Sequence, residues 1–154
     1  MKYRTVWLPS ISLTIFLSGC ADLPRDQHGA STRIRQRAVL TVGASHESAQ
    51  LTPLEKREKR LVEKIARRLG ARIEWRTGNA HQLLQDLKEL KLPLVAAALP
   101  CDSPFSARVG MSQPYLKDGP RHQDYCLAVA PGENQLLLLV DQVIAEETQR
   151  ENER

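Results

Sequence analysis

The sequence lacks the short motifs that mark the common enzyme classes. It contains no nucleophile elbow, no glycine-rich phosphate loop and no HExxH zinc motif. Histidine is the usual general base, but His81 falls in the first turn of a predicted helix and His122 in a polar loop, where side chains are mostly solvated. A metal site at His46, Cys101 and Asp102 would need a convergence that their spacing does not indicate. We therefore expect no enzymatic activity, no metal and no cofactor.

The chain also lacks a strong excess of charge of one sign. It carries 22 Lys and Arg residues against 18 Asp and Glu residues, a formal net charge of +4. Two of the basic residues, Lys2 and Arg4, precede an apolar run at the start of the chain, and without residues 1–19 the net charge is +2. A nucleic-acid-binding surface needs basic residues gathered on one face. The composition therefore argues against a nucleic-acid partner.

The apolar run Val6–Leu17 is too short to cross a bilayer comfortably. It leads into Leu-Ser-Gly-Cys, the order of a bacterial lipobox that ends at Cys20. We interpret residues 1–19 as a lipoprotein signal peptide and Cys20 as the acylated first residue of the mature protein; a plain secretory signal and a weak transmembrane anchor are the alternatives. Ala21 is not the Asp that often marks retention in the inner membrane. The predicted location is the periplasm, with the lipid in the outer or the inner membrane.

Residues 20–37 are polar, contain Pro, Gly and Ser and show no apolar period, which predicts a flexible tether. Its arginines Arg33, Arg35 and Arg37 are either solvated or in contact with anionic lipid head groups. The last residues, 148–154, are charged and are expected to fray into solvent. The mature chain is long enough for one domain with a single core.

The chain has only three cysteines. If Cys20 carries lipid, Cys101 and Cys126 remain as an even pair in an oxidising compartment, where disulfides persist. Two separate buried thiols are the alternative, because a disulfide needs Cα atoms within about 7 Å of each other.

Apolar runs alternate with helical patterns along residues 38–147. Short runs rich in Val, Ile, Leu and Ala predict strands at 38–42, 71–75, 94–99 and 125–130. Strands that alternate with helices predict a single α/β lobe of three layers, with a mostly parallel sheet and helices on both of its faces.

The helices have clear start and stop signals. Thr52 is a predicted N-cap with Glu55 as its capping-box partner, and Gly70 follows the last turn of that helix. Asn79 caps the second predicted helix, and the last one begins at Glu133 or Asn134. The stretch from Ser106 to Pro114 is ambiguous and reads as a short helical turn followed by a bend.

Several phrases, in their order, resemble the first lobe of the family 3 periplasmic solute-binding proteins, the amino-acid-type binding components of ABC importers. They are ARRLGARIEW at 66–75, LVAAAL at 94–99 and RVGMSQPY at 108–115. The phrase YCLAVAPGEN at 125–134 looks like the segment by which such proteins return to their first lobe. The resemblance covers about 38–147. It implies a binding-protein lobe with a ligand crevice beyond the carboxyl ends of its strands.

The departures from that family are as informative as the matches. A full member has two lobes, whereas only nine residues, Leu116–Asp124, separate the outgoing and returning segments here. The resemblance places threonine ligands and a carboxylate-binding arginine on the loop after the third strand. Counting back from Tyr115, Phe105 takes the place of the arginine, and Pro100 and Asp102 take the threonine places. An acidic Asp102 favours a cationic group over a carboxylate.

The predicted function is weak binding of a small polar solute at the carboxyl edge of the sheet, by an envelope lipoprotein that resembles the substrate-binding component of an ABC transporter. The predicted lining of the site is Ser45, His46, Arg76, Ala98, Asp102, Phe105 and Arg108. The alternative is an interaction module of the cell envelope that has lost ligand binding. Its partner surface would lie around Phe105, Met111 and Tyr115.

Overall fold

The computed structural model describes residues 25–45 and 51–153. The predicted signal peptide, Cys20 and His46 lie outside the described residues. The helices are α1 (Ala30–Arg37), α2 (Pro53–Leu69), α3 (Ala80–Lys88) and α4 (Asn134–Asn152). The strands are β1 (Val39–Ala44), β2 (Arg72–Thr77), β3 (Leu94–Pro100), β4 (Gly110–Met111) and β5 (Tyr125–Val129), with single 3₁₀ turns at Ser106–Arg108 and Pro120–His122.

The strands form one sheet in the order β2-β1-β3-β5-β4. Strand β1 pairs in parallel with both β2 and β3, whereas β5 is antiparallel to both β3 and β4. Four of the five described strands therefore run in one direction. This confirms the predicted mostly parallel α/β lobe.

The sheet separates two apolar clusters and so forms the middle of three layers. Side chains of β3 alternate between them: Leu94 and Ala96 pack with α1, α2 and α4, whereas Val95 and Ala97 pack on the α3 side. A strand that is buried on both faces has an uninterrupted apolar sequence, because successive side chains point to opposite faces and each face packs against an apolar layer. No helix in the described part of the chain is long and apolar enough to span a membrane.

The structure confirms the predicted helix signals. The Thr52 hydroxyl accepts a hydrogen bond from the Glu55 N–H, and the Glu55 carboxylate accepts one from the Thr52 N–H at 2.7 Å. Gly70 adopts φ 65°, the left-handed conformation that ends many helices. The Asn79 side chain likewise accepts from the Gln82 N–H at 2.8 Å and begins α3.

Replacing Thr52 by alanine is expected to lower the free energy of unfolding by about 1 kcal/mol, because the substitution leaves an N-terminal N–H of α2 without its acceptor. Urea denaturation measures the change. Thr148→Ala, at an exposed position inside α4, is the matched control and should change stability by less than about 0.5 kcal/mol. Equal losses in the two variants would contradict a capping role.

The predicted tether is wrong for Ala30–Arg37, which forms α1. Ala30 and Ile34 are 2% and 4% exposed and join the cluster beneath α2 and α4. The N-terminus of α1 is held by two carboxylates. The distant Glu133 accepts from the N–H groups of His28 and Ala30 at 3.1 and 2.9 Å, and the nearby Asp26 accepts from the Ser31 N–H at 2.8 Å. The local sequence carries no sign of an acceptor that lies a hundred residues away.

The predicted fraying of the last residues is also wrong, because α4 continues to Asn152. Three of its acids pair with cations of α2: Glu146 with Arg68, Glu147 with Lys64 and Glu151 with Arg57. Smaller differences concern the sheet. Strand β1 ends at Ala44 and β2 at Thr77, each two residues beyond its predicted end, and the ambiguous stretch after Ser106 contributes the edge strand β4.

Candidate functional site

The carboxyl end of β3 carries a break in the sheet that defines the candidate site. Leu94 and Val95 pair with β5 in one register and Leu99 and Pro100 in another, so the strand bulges between them. Within the bulge Ala98 has φ 49°, a conformation that is rare for residues other than glycine. Bulges often stand beside functional sites, where they redirect the backbone.

A buried acid holds this bulge in place. Glu58 of α2 is 2% exposed, and its carboxyl accepts hydrogen bonds from the Ala98 N–H and the Tyr115 hydroxyl, each at 2.8 Å. Burial raises the pKa of Glu58 to about 7. Burial and the neighbouring Glu58 also raise the pKa of the Tyr115 phenol, which therefore stays a hydrogen-bond donor. The bulge, α2 and the segment that ends at Tyr115 are thus joined at one point.

A groove with a volume of about 480 Å³ opens on the α3 side of this strand end, and we call it the α3-side groove. Its apolar floor is the end of β3, from Ala97 to Pro100. The rings of His81 and Phe105 meet edge to face on its wall, with centroids 5.4 Å apart. Asp102 is the one formally charged side chain among its lining residues at neutral pH, and Gln123 adds an amide. A carboxylate beside an aromatic ring suits a small cationic group.

A disulfide fixes the loop that carries two of these side chains. Cys101 is bonded to Cys126 of β5, with Cα atoms 5.1 Å apart. The Cys101 N–H also donates to the Asp124 carbonyl at 2.9 Å, and the Ser103 N–H to the Pro100 carbonyl at 3.1 Å. Asp102 therefore stands in a tight turn that is cross-linked to the neighbouring strand.

The structure brings together three residues of the predicted lining: Ala98, Asp102 and Phe105 all border the α3-side groove. Arg76 lies elsewhere, with its guanidinium 3.8 Å from the Asp86 carboxylate of α3. Arg108 is exposed at the end of a 3₁₀ turn, and Ser45 is half-buried just after β1; neither borders the groove. His46 belongs to residues that the structure does not describe.

Among the side chains of the groove that sequence reasoning did not assign to the site are His81 and Gln123. His81 lies two residues after the Asn79 cap, so the sequence pattern already placed it in the first turn of α3, the helix that packs on β3. Gln123 had no signal, because its place depends on the fold of the loop before β5.

A second groove lies on the other side of β3, and we call it the α2-side groove. Its volume is about 690 Å³. Leu54, Leu116 and Tyr125 give it an apolar lining, which is bordered by charged residues, and Ala98 borders both grooves. The charged residues are Glu55, Arg57, Arg60 and Arg121. Among the described residues, no group of three or more His, Cys, Asp and Glu side chains is placed to hold a metal ion.

Known proteins match this chain in fold but not in a sequence search. No protein-family model and no curated protein sequence matches the chain. A point mutant of the arginine-bound form of domain 1 from TmArgBP, the ArgBP of T. maritima, superposes with a TM-score of 0.67 at 23% identity, covering 78% of this chain and 99% of that one. The chain has the fold of a solute-binding-protein lobe.

Other structures with this lobe fold agree. The amino acid ABC transporter substrate-binding protein AbpA from Streptococcus pneumoniae, bound to L-arginine, gives a TM-score of 0.66 at 11% identity, covering 77% of this chain and 92% of that one. The ancestral cationic amino acid solute-binding protein AncCDT-1 gives 0.63 at 13% identity, covering 78% and 94%. AncCDT-1 is also described as a precursor of cyclohexadienyl dehydratase.

The lobe stands by itself in the described part of the chain. Leu116 pairs with Tyr125 through an isolated β-bridge, and the Gly119 N–H donates to the Gln123 carbonyl at 2.9 Å. The segment between the outgoing and returning parts of the lobe is therefore a closed loop of eight residues, 117–124, and contains no second lobe.

Proposed function

We propose that this chain is a periplasmic lipoprotein whose single lobe binds a small polar solute, with a cationic group, at the carboxyl edge of its sheet. One observation carries the proposal: Asp102 and Phe105 stand together with His81 over an apolar floor, at the end of the central strand β3. Open α/β sheets bind ligands at this edge. The fold neighbours support the solute class, because they include arginine-bound proteins and a cationic amino acid solute-binding protein.

The binding should be weak. A good pocket encloses 70–90% of a ligand, whereas the α3-side groove is one wall without an opposing lobe. The sequence also has Phe105 where the resemblance places the arginine that grips a carboxylate. Recognition would therefore rest on the cationic end of the solute, with Asp102 as its counter-charge.

We propose no catalytic role for the groove. His81 and Asp102 are both exposed side chains on an open wall, where water is not excluded from a reacting group. General acid–base catalysis needs a group with a tuned pKa within hydrogen-bond reach of the substrate. The buried Glu58 is such a group by its pKa, but its carboxyl oxygen accepts hydrogen bonds from two protein donors, the Ala98 N–H and the Tyr115 hydroxyl.

The test is a titration of the protein with L-arginine, followed by calorimetry or by NMR. We expect a Kd on the order of 1 mM. The Asp102→Asn variant should bind L-arginine at least tenfold more weakly, because the groove loses its one carboxylate. Asp118→Asn is the matched control: Asp118 is an exposed acid in the loop before β5 and does not border the groove. No binding of arginine, polyamines or sugars would contradict solute binding. Equal affinities of the two variants would contradict the role of Asp102 as the counter-charge.

The alternative function is docking of an envelope protein on this edge of the lobe. The α2-side groove favours it, because a large apolar groove lies beside the α3-side groove, and one partner could cover both. The predicted partner surface needs a correction: Tyr115 is 2% exposed and turned toward Glu58. Phe105 and Met111 are half-buried at the rim of the core. Loss of a cross-linked envelope protein on Phe105→Glu, without any solute binding, would favour this alternative.

A further inference from the structure

The outward surface of α1 is basic without any acid. Arg33, Arg35 and Arg37 are exposed, and the helix contains no Asp or Glu. At 100° per residue, Arg33 and Arg37 fall on one flank of the exposed side and Arg35 on the other. We call these three residues the α1 basic face.

The charges of this face are not compensated within the lobe. Among the described residues, no ion pair involves Arg33, Arg35 or Arg37. Some cations of α2 do have partners, since Arg57, Lys64 and Arg68 all pair with glutamates of α4. Lys56, Lys59 and Arg67 of α2 have no ion pair among the described residues, so the α1 basic face is distinguished by its place near the start of the lobe and by the lack of any acid in its helix. Two acids border the adjoining groove. Glu74 is itself paired with Arg72 at 2.8 Å, and the Glu133 carboxylate accepts from the N–H groups of His28 and Ala30.

The face lies at the amino edge of the sheet, opposite the solute groove. Arg33 and Arg37 border a groove of about 330 Å³ together with Val39, where β1 begins, and Pro93, just before β3. The α3-side groove lies where β3 ends. A body that covers the α1 basic face would therefore leave the carboxyl edge open.

The number of residues between Cys20 and the lobe limits how far the proposed lipid anchor can lie from the start of the lobe. Asp26 is fixed to the lobe, because its carboxylate accepts from the N–H groups of Ser31 and Leu136 at 2.8 and 2.9 Å. The Gln27 N–H donates to the Gly132 carbonyl at 2.9 Å. Only five residues lead from Cys20 to Arg25, and five residues span at most about 17 Å.

We infer that the α1 basic face docks on the anionic surface of the membrane that holds the lipid anchor, with the solute groove turned away from the lipid. The inference rests on the proposed acylation of Cys20 for the proximity, and on the uncompensated arginines for the attraction. Basic side chains near an anionic bilayer each contribute about 1 kcal/mol, a factor of about five in affinity. Three of them together give roughly 100-fold.

The test uses the full chain with Cys20→Ser, so that binding does not depend on acyl chains. Its partitioning onto vesicles of phosphatidylcholine alone is compared with that onto vesicles with one part phosphatidylglycerol to two parts phosphatidylcholine. The apolar segment within residues 1–19 contributes to binding on both kinds of vesicle. The ratio of the two affinities therefore reports the effect of the anionic lipid charge. The variant Arg33→Gln/Arg35→Gln/Arg37→Gln should lower this ratio roughly 100-fold, and about 0.5 M NaCl should remove most of the difference.

The matched control removes three exposed charges from α2 by Lys56→Gln/Lys59→Gln/Arg67→Gln, and none of these residues has an ion pair in the described structure. It changes the net charge equally and should alter the ratio less than about threefold. Equal effects of the two triple variants, or no effect of either, would overturn the inference. Acylation is tested separately, by the mass of the mature wild-type protein. A missing acyl group refutes the anchor, whereas an unchanged vesicle ratio refutes only the docking face.

Discussion

Replacing Cys101 and Cys126 together by alanine should lower the free energy of unfolding by about 3 kcal/mol. The bond closes a loop over a sequence separation of 25 residues, and its loss restores the chain entropy that the cross-link removes from the unfolded state. For a domain of this size the change corresponds to a drop in Tm of roughly 10 °C. Urea denaturation of the wild type and the double variant measures it.

Reduction provides the control for this prediction. A reductant should destabilise the wild type by nearly the same amount and leave the double variant unchanged, since the variant has no bond between these positions. The turn that holds Asp102 is tied to β5 by the same bond, so arginine affinity should weaken in parallel. A loss of stability below about 1 kcal/mol would show that the hydrogen bonds of the turn suffice without the cross-link.

Glu58 should make the lobe less stable as the pH rises from about 4.5 to about 7. Burial raises its pKa in the folded protein to about 7, above the ordinary glutamate value of 4.5. Between these values the folded state keeps the proton and the unfolded state has released it, so each step up in pH favours unfolding. The full effect of such a shift is on the order of 3 kcal/mol.

Other acids change stability with pH in the opposite direction. The prediction therefore concerns the difference in stability between the wild type and a variant that lacks the Glu58 carboxyl. Lys64 holds the pKa of Glu147 below its ordinary value, which contributes stability that is lost as the pH falls. Glu58→Gln keeps an oxygen acceptor for Ala98 and Tyr115 but does not titrate. Relative to this variant, the wild type should lose stability between pH 4.5 and 7 in urea denaturation; parallel profiles would contradict a raised pKa.

Helices and strands with local sequence signals could be predicted from the sequence alone. The capping box of α2, the Asn79 N-cap of α3 and the apolar stripes of both helices predicted them, and the apolar run at 94–99 predicted β3. Helix α1 escaped prediction because its stability comes from distant partners: Glu133 caps its start, and Ile34 packs beneath α2 and α4. Local composition carries no record of contacts that far along the chain.

The candidate site was only partly predictable for the same reason. Strand order implied that the residues after β3 border a crevice, which placed Ala98, Asp102 and Phe105 together. Arg76 was misplaced because its partner Asp86 lies on the neighbouring helix, and a spacing argument cannot choose between a pocket and a salt bridge. The buried Glu58 sits in a stretch of charged residues and differs from them only in the face of α2 that it occupies.

The short loop between Leu116 and Tyr125 limits what binding could communicate. A receptor with two lobes shuts around its cargo, and a membrane partner can tell the loaded shape from the empty one. Here the outgoing and returning segments meet at once in a β-bridge, so the loop between them holds no second lobe to close over the groove. If the groove binds a solute as proposed, a partner that senses occupancy has to touch the solute itself.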